Sequence, residues 1–263
     1  MFIPLKDDNP TIRKPYVTVG LIALNVLVYL FNNLFSGELQ NHLFNFTYGL
    51  IPYEVTHFEE ISAQVASSAL RGVSMLDTSA LSAPILLTPF TSMFMHGGLM
   101  HLGGNMLYLW IYGNNIEDYF GPVRFLAFYL IGGIAAVALH IAVSPNSPIP
   151  LVGASGAISA VLGAYLVLYP RARVLVFYIF FYFFRTTWLP AWVVLGLYFA
   201  IQVFNAFRGF MDTGVGGGGG GVAVMAHLGG FAFGWILLKL IVKNRGKVSF
   251  GATDRRRVYK IKF

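Results

Sequence analysis

The stretch GASGAISAVLGAYLVLY, residues 153–169, places a serine between two glycines at the start of an apolar run that predicts a membrane helix. A bilayer core about 30 Å thick is crossed by roughly 20 mostly apolar helical residues. Ser155 is a candidate nucleophile, because polar groups inside membrane helices are costly and indicate function. The remaining sequence must then supply this serine with a base.

The composition of the whole chain is that of a membrane protein. Of its 263 residues, 56% are hydrophobic and 11% are charged, and its mean hydropathy is +0.66, values that a soluble surface does not have. The apolar residues concentrate in six segments, which predicts an all-α membrane protein with a bundle of six transmembrane helices. The predicted helices are 16–35, 91–112, 123–143, 153–169, 187–207 and 222–243.

These segments divide the chain into a short N-terminus (1–15), a helical domain (16–243) and a basic C-terminal tail (244–263). The first segment follows three basic residues, as a signal sequence would. It is as long as a membrane helix, however, and no Ala-x-Ala site follows it, so we predict a retained helix. The chain has no cysteine, which excludes disulfides and thiol chemistry.

The net charge of +7 is distributed unevenly over the connections between the segments. If the helices alternate in direction, sixteen of the 18 Lys and Arg residues fall on one side, and only Arg71 and Arg208 fall on the other. Loops rich in Lys and Arg stay in the cytoplasm, so we predict cytoplasmic termini in a multi-pass protein of the plasma (inner) membrane. The cluster Arg255-Arg256-Arg257 is interpreted as a topology anchor that contacts anionic membrane lipids rather than nucleic acid.

Two connections on the less basic side are unusual. The first, residues 36–89, is far longer than a turn, and a loop of that length is usually functional or has structure of its own. Its stretch 44–53 is suited to partial burial in the membrane interface. The last contains six consecutive glycines, Gly216–Gly221, directly before the sixth segment. Such a run predicts either a flexible linker or a mobile cap over a site at the start of that segment.

Polar residues inside the segments concentrate in the second, fourth and sixth, which all run from outside to inside in this topology. These residues are His96, His101, Asn105, Ser155, Ser159 and His227. Each lies in the first half of its segment, so the groups converge at one depth below the outer surface. Taken singly, Ser155 and Asn105 are more often explained by helix packing, and a lone membrane histidine is as often a helix–helix contact as a proton relay. Their common side and depth nevertheless indicate a functional site.

Small residues predict direct contact between the fourth and sixth segments. The two stripes at helical spacing are Ser155, Ser159 and Gly163 in the fourth segment and His227, Gly230 and Gly234 in the sixth. Such stripes let helix backbones approach closely in lipid. If they face each other, the Ser155 hydroxyl comes within hydrogen-bond reach of the His227 imidazole, and a neutral histidine there removes the serine proton.

The sequence predicts a catalytic dyad of Ser155 and His227 rather than a triad, because no acidic residue accompanies the group. The oxyanion that develops on a substrate carbonyl would be bound by His101, Asn105 and the backbone N–H groups at the start of the fourth segment. A zinc site is not predicted, because no His-Glu-x-x-His pair and no nearby carboxylate occur. No cofactor is expected.

These motifs resemble the rhomboid family of intramembrane serine proteases. The resemblance rests, in chain order, on His96-Gly-Gly-Leu-Met-His101-Leu-Gly-Gly-Asn105, Gly113-x3-Glu117-x3-Gly121, Gly153-Ala-Ser155-Gly156, and Ala226-His227 with Gly230 and Gly234. It implies a six-helix bundle with a water-filled cavity open to the outside, Ser155 as nucleophile and His227 as general base. It also implies an oxyanion hole of His101, Asn105 and the Ser155 amide, a mobile fifth helix as a gate, and a membrane-embedded hairpin in the first long connection.

Two features depart from the pattern of this family, the hexaglycine run and the residue at position 159. Many relatives have an aromatic residue four positions after the serine, where it stacks on the base histidine, whereas this chain has Ser159 there. Another contact must therefore orient His227. The expected substrates are single-pass membrane proteins, cleaved near the outer face at segments with glycine or other weak helix formers, and the resemblance implies a small residue before the scissile bond.

Two other functions fit parts of the pattern. A non-catalytic member of the same family would bind membrane clients, but the intact Ser155 and His227 argue against it. A small transporter would use the polar cluster as a path for protons or solutes. Transporters of that kind have internal repeats or paired broken helices, which this sequence lacks.

Overall fold

The computed structural model describes residues 2–34, 38–61, 83–180, 183–213 and 222–244. The helices are α1 Tyr16–Leu34, α2 Glu38–Tyr48, α3 Pro52–His57, α4 Leu99–Tyr108, α5 Asn114–Phe120, α6 Pro122–Val143, α7 Ser155–Leu168, α8 Ala191–Thr213 and α9 Val222–Asn244. Short helical turns at Ile85–Leu87, Thr88–Thr91 and Ser92–Phe94 precede α4, and a π-helical turn, Leu109–Gly113, joins α4 to α5. The hexaglycine run and the basic cluster near the C-terminus lie outside the described residues.

Four of the six predicted segments agree closely with a helix, namely α1, α6, α7 and α9. The fifth was predicted to begin at residue 187, but α8 begins at Ala191 because the preceding residues form a strand. The predicted start of the second segment, at residue 91, was wrong. The backbone is extended at Met95 and Gly98, so His96 lies in a loop and the regular helix begins only after the two glycines Gly97 and Gly98.

Within the described residues, the helical segments long and apolar enough to cross a membrane are Tyr16–Asn33, Pro122–Val143 and Val224–Lys243. Shorter apolar helical stretches occupy Ile85–Phe94, Ser155–Leu168 and Ala191–Asn205. At about 1.5 Å per residue, the 14 residues of α7 span about 21 Å, less than a bilayer core of about 30 Å. The protein is mostly helical and integral to a membrane, but helix length does not establish six full spans.

The protein is mostly helical, as predicted, but the described residues also include three strands, which form an antiparallel sheet in the order β1-β2-β3. The strands are β1 Phe2–Asp7, β2 Arg173–Phe180 and β3 Phe183–Pro190. Val174 and Val176 on one face of β2 are fully buried, whereas Trp188, on the other face of the sheet, is 41% exposed. Alternate residues of a strand point to opposite faces. Residues 2–7 of the short N-terminus therefore belong to a sheet with one buried face.

The centre of the helical core is α7, in which eleven of the 14 residues are buried. A Cβ on Gly230 of α9 would overlap the backbone of Gly156 and Ala160, and a Cβ on Gly234 would overlap Ala160 as well. On the other side, a Cβ on Gly156 would lie 2.7 Å from that of Ala136 on α6. The backbones touch because glycine leaves room for them. The predicted close approach of α7 and α9 is present, but Gly230 and Gly234 meet Gly156 and Ala160 of α7 rather than Ser155 and Ser159.

The Glu117 carboxylate ties α5 to the start of α1. It is 1% exposed and accepts hydrogen bonds from the backbone N–H of Val17 at 2.9 Å and from that of Thr18 at 2.7 Å. The Thr18 hydroxyl donates to it at 2.7 Å. The first N–H groups of a helix lack partners within the helix and favour a negative charge. Gly113 lies directly against Thr18, and Gly121 has a φ of 78°, which glycine adopts without strain.

The loop that leads into α7 is held in place by the first long connection. The backbones of Leu50 and Leu151 exchange hydrogen bonds of 3.0 and 2.7 Å. The backbone N–H of Gly153 donates to the carbonyl of Ser92 at 2.9 Å. This connection also carries α2 and α3, which confirms that it has structure of its own. Its residues 62–82 lie outside the described part of the chain.

Candidate active site

Ser155 is the first residue of α7, where an extended loop turns into a helix. Gly153 has a φ of 127°, a value that residues with a Cβ rarely adopt, so the turn into α7 requires glycine there. Ala154 at the N-cap makes no side-chain hydrogen bond to the helix. The first N–H groups of α7 have no acceptor within the helix, and they lie at the same end of α7 as the half-buried Ser155.

His227 lies in the second turn of α9 and faces Ser155. Its Nε2 is 2.7 Å from Ser155 Oγ, although the two residues are 72 positions apart. At this distance the serine O–H donates to an unprotonated Nε2. The hydrogen-bond contact expected from the two small-residue stripes is therefore present.

The other ring nitrogen of His227 contacts a residue that no sequence motif indicated. His227 Nδ1 is 3.1 Å from Gln202 Oε1 on α8. An amide oxygen accepts hydrogen bonds and cannot donate them, so the proton lies on Nδ1 and Nε2 is left as an acceptor. One signal was present in the sequence: Gln202 follows Tyr198 by four residues in a mostly apolar helix, so the two polar groups share a face.

Ser159, one turn after Ser155, also has its partner on α8. It is fully buried, and its Oγ is 3.2 Å from the hydroxyl of Tyr198. The Tyr198 ring lies 5.9 Å from that of Tyr108 on α4. The aromatic group at this level of the core thus comes from α8, and it is anchored to α7 by a hydrogen bond.

His101 and Asn105, the predicted oxyanion donors, lie four residues apart on α4. A Cβ built on Gly153 would be 2.9 Å from His101 Nε2 and 3.5 Å from Ser155 Oγ, so both atoms border one small space. Asn105 is 8% exposed, and its Nδ2 has no hydrogen-bond partner among the described residues. Buried donors are normally satisfied, so this amide is available to a group that enters the site.

His96 lies beside this cluster but not on the same helix. Its ring meets the ring of His101 edge to face at a centroid distance of 5.2 Å, and it is 3% exposed. Packing against a buried neighbour restricts the positions that the His101 ring can take. The structure therefore keeps His96 within the predicted cluster as a neighbour of His101.

A small cleft opens beside Ser155 on the side of α6. Its walls include Ser92, Met93, Gly133, Val137, Gly153 and Ala226. Most of these residues have small side chains.

Known proteins similar to this chain carry one family name. A family model described as Rhomboid domain matches residues 86–244. Rhomboid protein 1, mitochondrial, of Saccharomyces cerevisiae is 30% identical over 164 residues, which cover 59% of this chain and 42% of that protein. Presenilin-associated rhomboid-like protein, mitochondrial, of Homo sapiens is 32% identical over 177 residues, with coverages of 64% and 41%. Rhomboid protease GluP of Bacillus subtilis is 46% identical over 81 residues, with coverages of 31% and 15%.

The matches give information on the membrane in which the protein resides and on how much of each relative the chain covers. The chain spans less than half the length of each of these relatives. Two of them are named as mitochondrial proteins, so the comparisons do not support the plasma membrane that the charge pattern predicted. The long apolar helices support the broader statement that the protein is integral to a membrane.

Proposed function

Because the chain belongs to the rhomboid family, we propose that it is an intramembrane serine protease, which hydrolyses peptide bonds in or near the membrane-spanning segments of other proteins. The observation that carries this proposal is the 2.7 Å contact between Ser155 Oγ and His227 Nε2. It joins a hydroxyl to a base at the mouth of a buried helix. The similar protein of Bacillus subtilis is named a protease, which supports the same activity.

In the first half of the reaction, Ser155 Oγ attacks the carbonyl carbon of the scissile peptide while His227 Nε2 takes its proton. Negative charge develops on the carbonyl oxygen. Its donors are the backbone N–H groups at the start of α7, the Asn105 amide and the His101 ring. His227 then gives the proton to the leaving nitrogen, the peptide C–N bond breaks, and an acyl group remains on Ser155.

Water completes the reaction with the same base. His227 Nε2 takes a proton from a water molecule as the water oxygen attacks the acyl carbon. The bond to Ser155 Oγ breaks, and His227 returns the proton to that oxygen. The whole reaction uses two side chains of the protein and consumes one water molecule. This water reaches the half-buried serine from the loop end of α7.

The proposed substrates are single-pass membrane proteins. A peptide bond must leave the helical conformation before a nucleophile can approach its carbonyl, so segments with glycine or other weak helix formers open at the lowest cost. The family resemblance implies a small residue before the scissile bond, and the cleft beside Ser155, with Gly133, Val137 and Ala226 in its walls, is the place proposed for its side chain.

The proposed topology follows the distribution of Lys and Arg. Both termini are cytoplasmic and the site lies near the outer face of the membrane. Residues 16–243 form the protease domain with six membrane segments, and the tail, residues 244–263, contacts anionic lipid. The hexaglycine run stays a predicted linker or cap beside this site.

Covalent labelling and cleavage test the proposal together. Wild-type protein in detergent should react with a fluorophosphonate probe and should cleave a single-pass substrate in proteoliposomes. Ser155→Ala should abolish both activities and His227→Ala should nearly abolish them, whereas Ser147→Ala, a change in the loop before α7, should retain labelling. The dyad is wrong if either variant of the pair cleaves at the wild-type rate, and absence of labelling in the wild type would indicate a non-catalytic member of the family.

A further inference from the structure

Two polar side chains on α8 each contact one helix of the proposed dyad. Tyr198 bonds Ser159 on α7 at 3.2 Å, and Gln202, one turn further along, bonds His227 on α9 at 3.1 Å. The opposite side of α8 is apolar and open, with Phe204 60% and Phe207 58% exposed. The polar stripe of α8 therefore faces the dyad, and its apolar side is suited to lipid.

The contact with Gln202 determines which ring nitrogen of His227 carries the proton. A neutral imidazole has one N–H donor and one acceptor nitrogen. A general base for Ser155 needs Nε2 as the acceptor, so Nδ1 must hold the proton. The Gln202 oxygen accepts from Nδ1 and selects this tautomer. The reverse tautomer would leave the Gln202 oxygen and Nδ1 as two facing acceptors and would place a proton on Nε2.

We infer that Gln202 is a positioning residue, which fixes the tautomer and the ring orientation of His227 through its side-chain oxygen. The inference rests on the proposed function, because it assigns the group that orients the proposed base. Gln202 takes the place both of the acid of a triad and of an aromatic residue at the position of Ser159. Because Gln202 belongs to α8, the orientation of the base depends on the docking of α8 against α7 and α9.

Two substitutions at this position separate the acceptor from the bulk of the side chain. Gln202→Met has a similar length but no acceptor, and the rate of fluorophosphonate labelling of Ser155 and kcat should both fall about 10- to 100-fold, as when an orienting partner of a histidine is removed. KM should change little, since the residue does not touch substrate. Gln202→Glu keeps an acceptor and should recover most of the labelling rate.

The pH dependence of the reaction rate separates the two possible roles of Gln202, because a residue that only packs against His227 would not shift it. A carboxylate beside Nδ1 favours the protonated ring, so in Gln202→Glu the acid side of the pH–rate profile should move to higher pH by about one unit. The other titratable groups facing this region are His101 on α4 and Tyr198 on α8, and both are unchanged in these variants. Tyr198→Phe, which removes the bond to Ser159 but not Gln202, should destabilise α8 and leave the midpoint of the profile in place.

The outcomes distinguish this inference from the proposed function. If wild type labels and Gln202→Met labels at the same rate, Gln202 does not position the base, although the dyad stands. If wild type does not label, the proposed function itself fails. On a His227→Ala background Gln202→Met should have no further effect, and an undiminished effect there would overturn the inference. If Gln202→Met does not fold, the folded Gln202→Glu variant decides, because an unmoved pH profile contradicts contact with the ring.

Discussion

The hydroxyl of Tyr165 donates a hydrogen bond of 2.6 Å to Asp7 Oδ2, which joins the helix of Ser155 to the N-terminal strand across 158 positions of sequence. The Asn115 side chain donates to the same oxygen at 2.8 Å. Strand β1, helix α5 and helix α7 thus meet at one carboxylate. The contact lies near the end of α7 that is remote from Ser155, so changes there test the stability of the core apart from the chemistry of the site.

The Asp7 carboxylate predicts a pH dependence of stability. Burial raises its pKa to about 6, against the lowering effect of the hydrogen bonds from Tyr165 and Asn115. Because the ordinary value is 3.8, the folded protein binds more protons than the unfolded chain between these two values. The free energy of unfolding should therefore fall by about 1 to 2 kcal/mol as the pH rises from about 4 to 6. Unfolding in detergent at a series of pH values measures this slope.

Two variants serve as controls for that slope. Asp7→Asn keeps an oxygen acceptor but cannot titrate, so the contribution of this site to the slope should disappear. Asp8→Asn removes the ion pair with Arg173 at the surface and the smallest of the causes that raise the Asp7 pKa, so it should retain most of the wild-type slope. An unchanged slope in Asp7→Asn would show that another group titrates.

Gly230→Ala should lower stability and activity together. A Cβ at this position overlaps the backbone of Gly156 and Ala160, so α7 and α9 must separate and the contact between the proposed nucleophile and base must lengthen. We expect the free energy of unfolding to fall by about 1 to 3 kcal/mol, with a loss in kcat. Gly196→Ala is the matched control, since nothing lies within 4 Å of its Cβ and alanine favours a helix. Equal stability of the two variants would contradict the close contact.

Glu117→Ala should loosen α1 from the core. The variant leaves the N–H groups of Val17 and Thr18 without their buried acceptor, and hydrogen bonds to a charged group are strong, so the loss should be about 2 to 4 kcal/mol. Glu117→Gln should lose less, because one amide oxygen remains. Asp118→Asn, at the more exposed neighbouring carboxylate, should lose under about 1 kcal/mol. Thermal unfolding in detergent ranks the three variants.

Asn105→Ala should slow turnover without blocking the nucleophile. Removal of one oxyanion donor reduces kcat by about a hundredfold or more in a serine protease, whereas labelling of Ser155 by a fluorophosphonate should persist at a reduced rate. Asn25→Ala provides the comparison, because Asn25 is also buried but bonds the Leu21 carbonyl within α1. Complete loss of labelling in Asn105→Ala would indicate a structural role for this residue.

The helices were predictable where each is one continuous apolar run, as in α1, α6 and α9. The start of the second helix was wrong, because average hydropathy does not register the break at Gly97 and Gly98. The sheet was missed for a related reason. Residues 173–190 are rich in aromatic and β-branched side chains, which favour strands, but a short apolar run does not by itself distinguish a strand from part of a helix.

The sequence by itself determined the membrane character of this protein, its main helices, and the small residues that let α7 and α9 approach closely. Hydropathy and helical spacing are local properties, so they can be read along the chain. Only the tertiary structure decided that Gln202 contacts His227 Nδ1, that Tyr198 bonds Ser159, and that the Asp7 carboxylate accepts a hydrogen bond from Tyr165. Those contacts depend on the rotation of α8 about its axis and on the pairing of β1 with a strand that follows α7, neither of which a local pattern encodes.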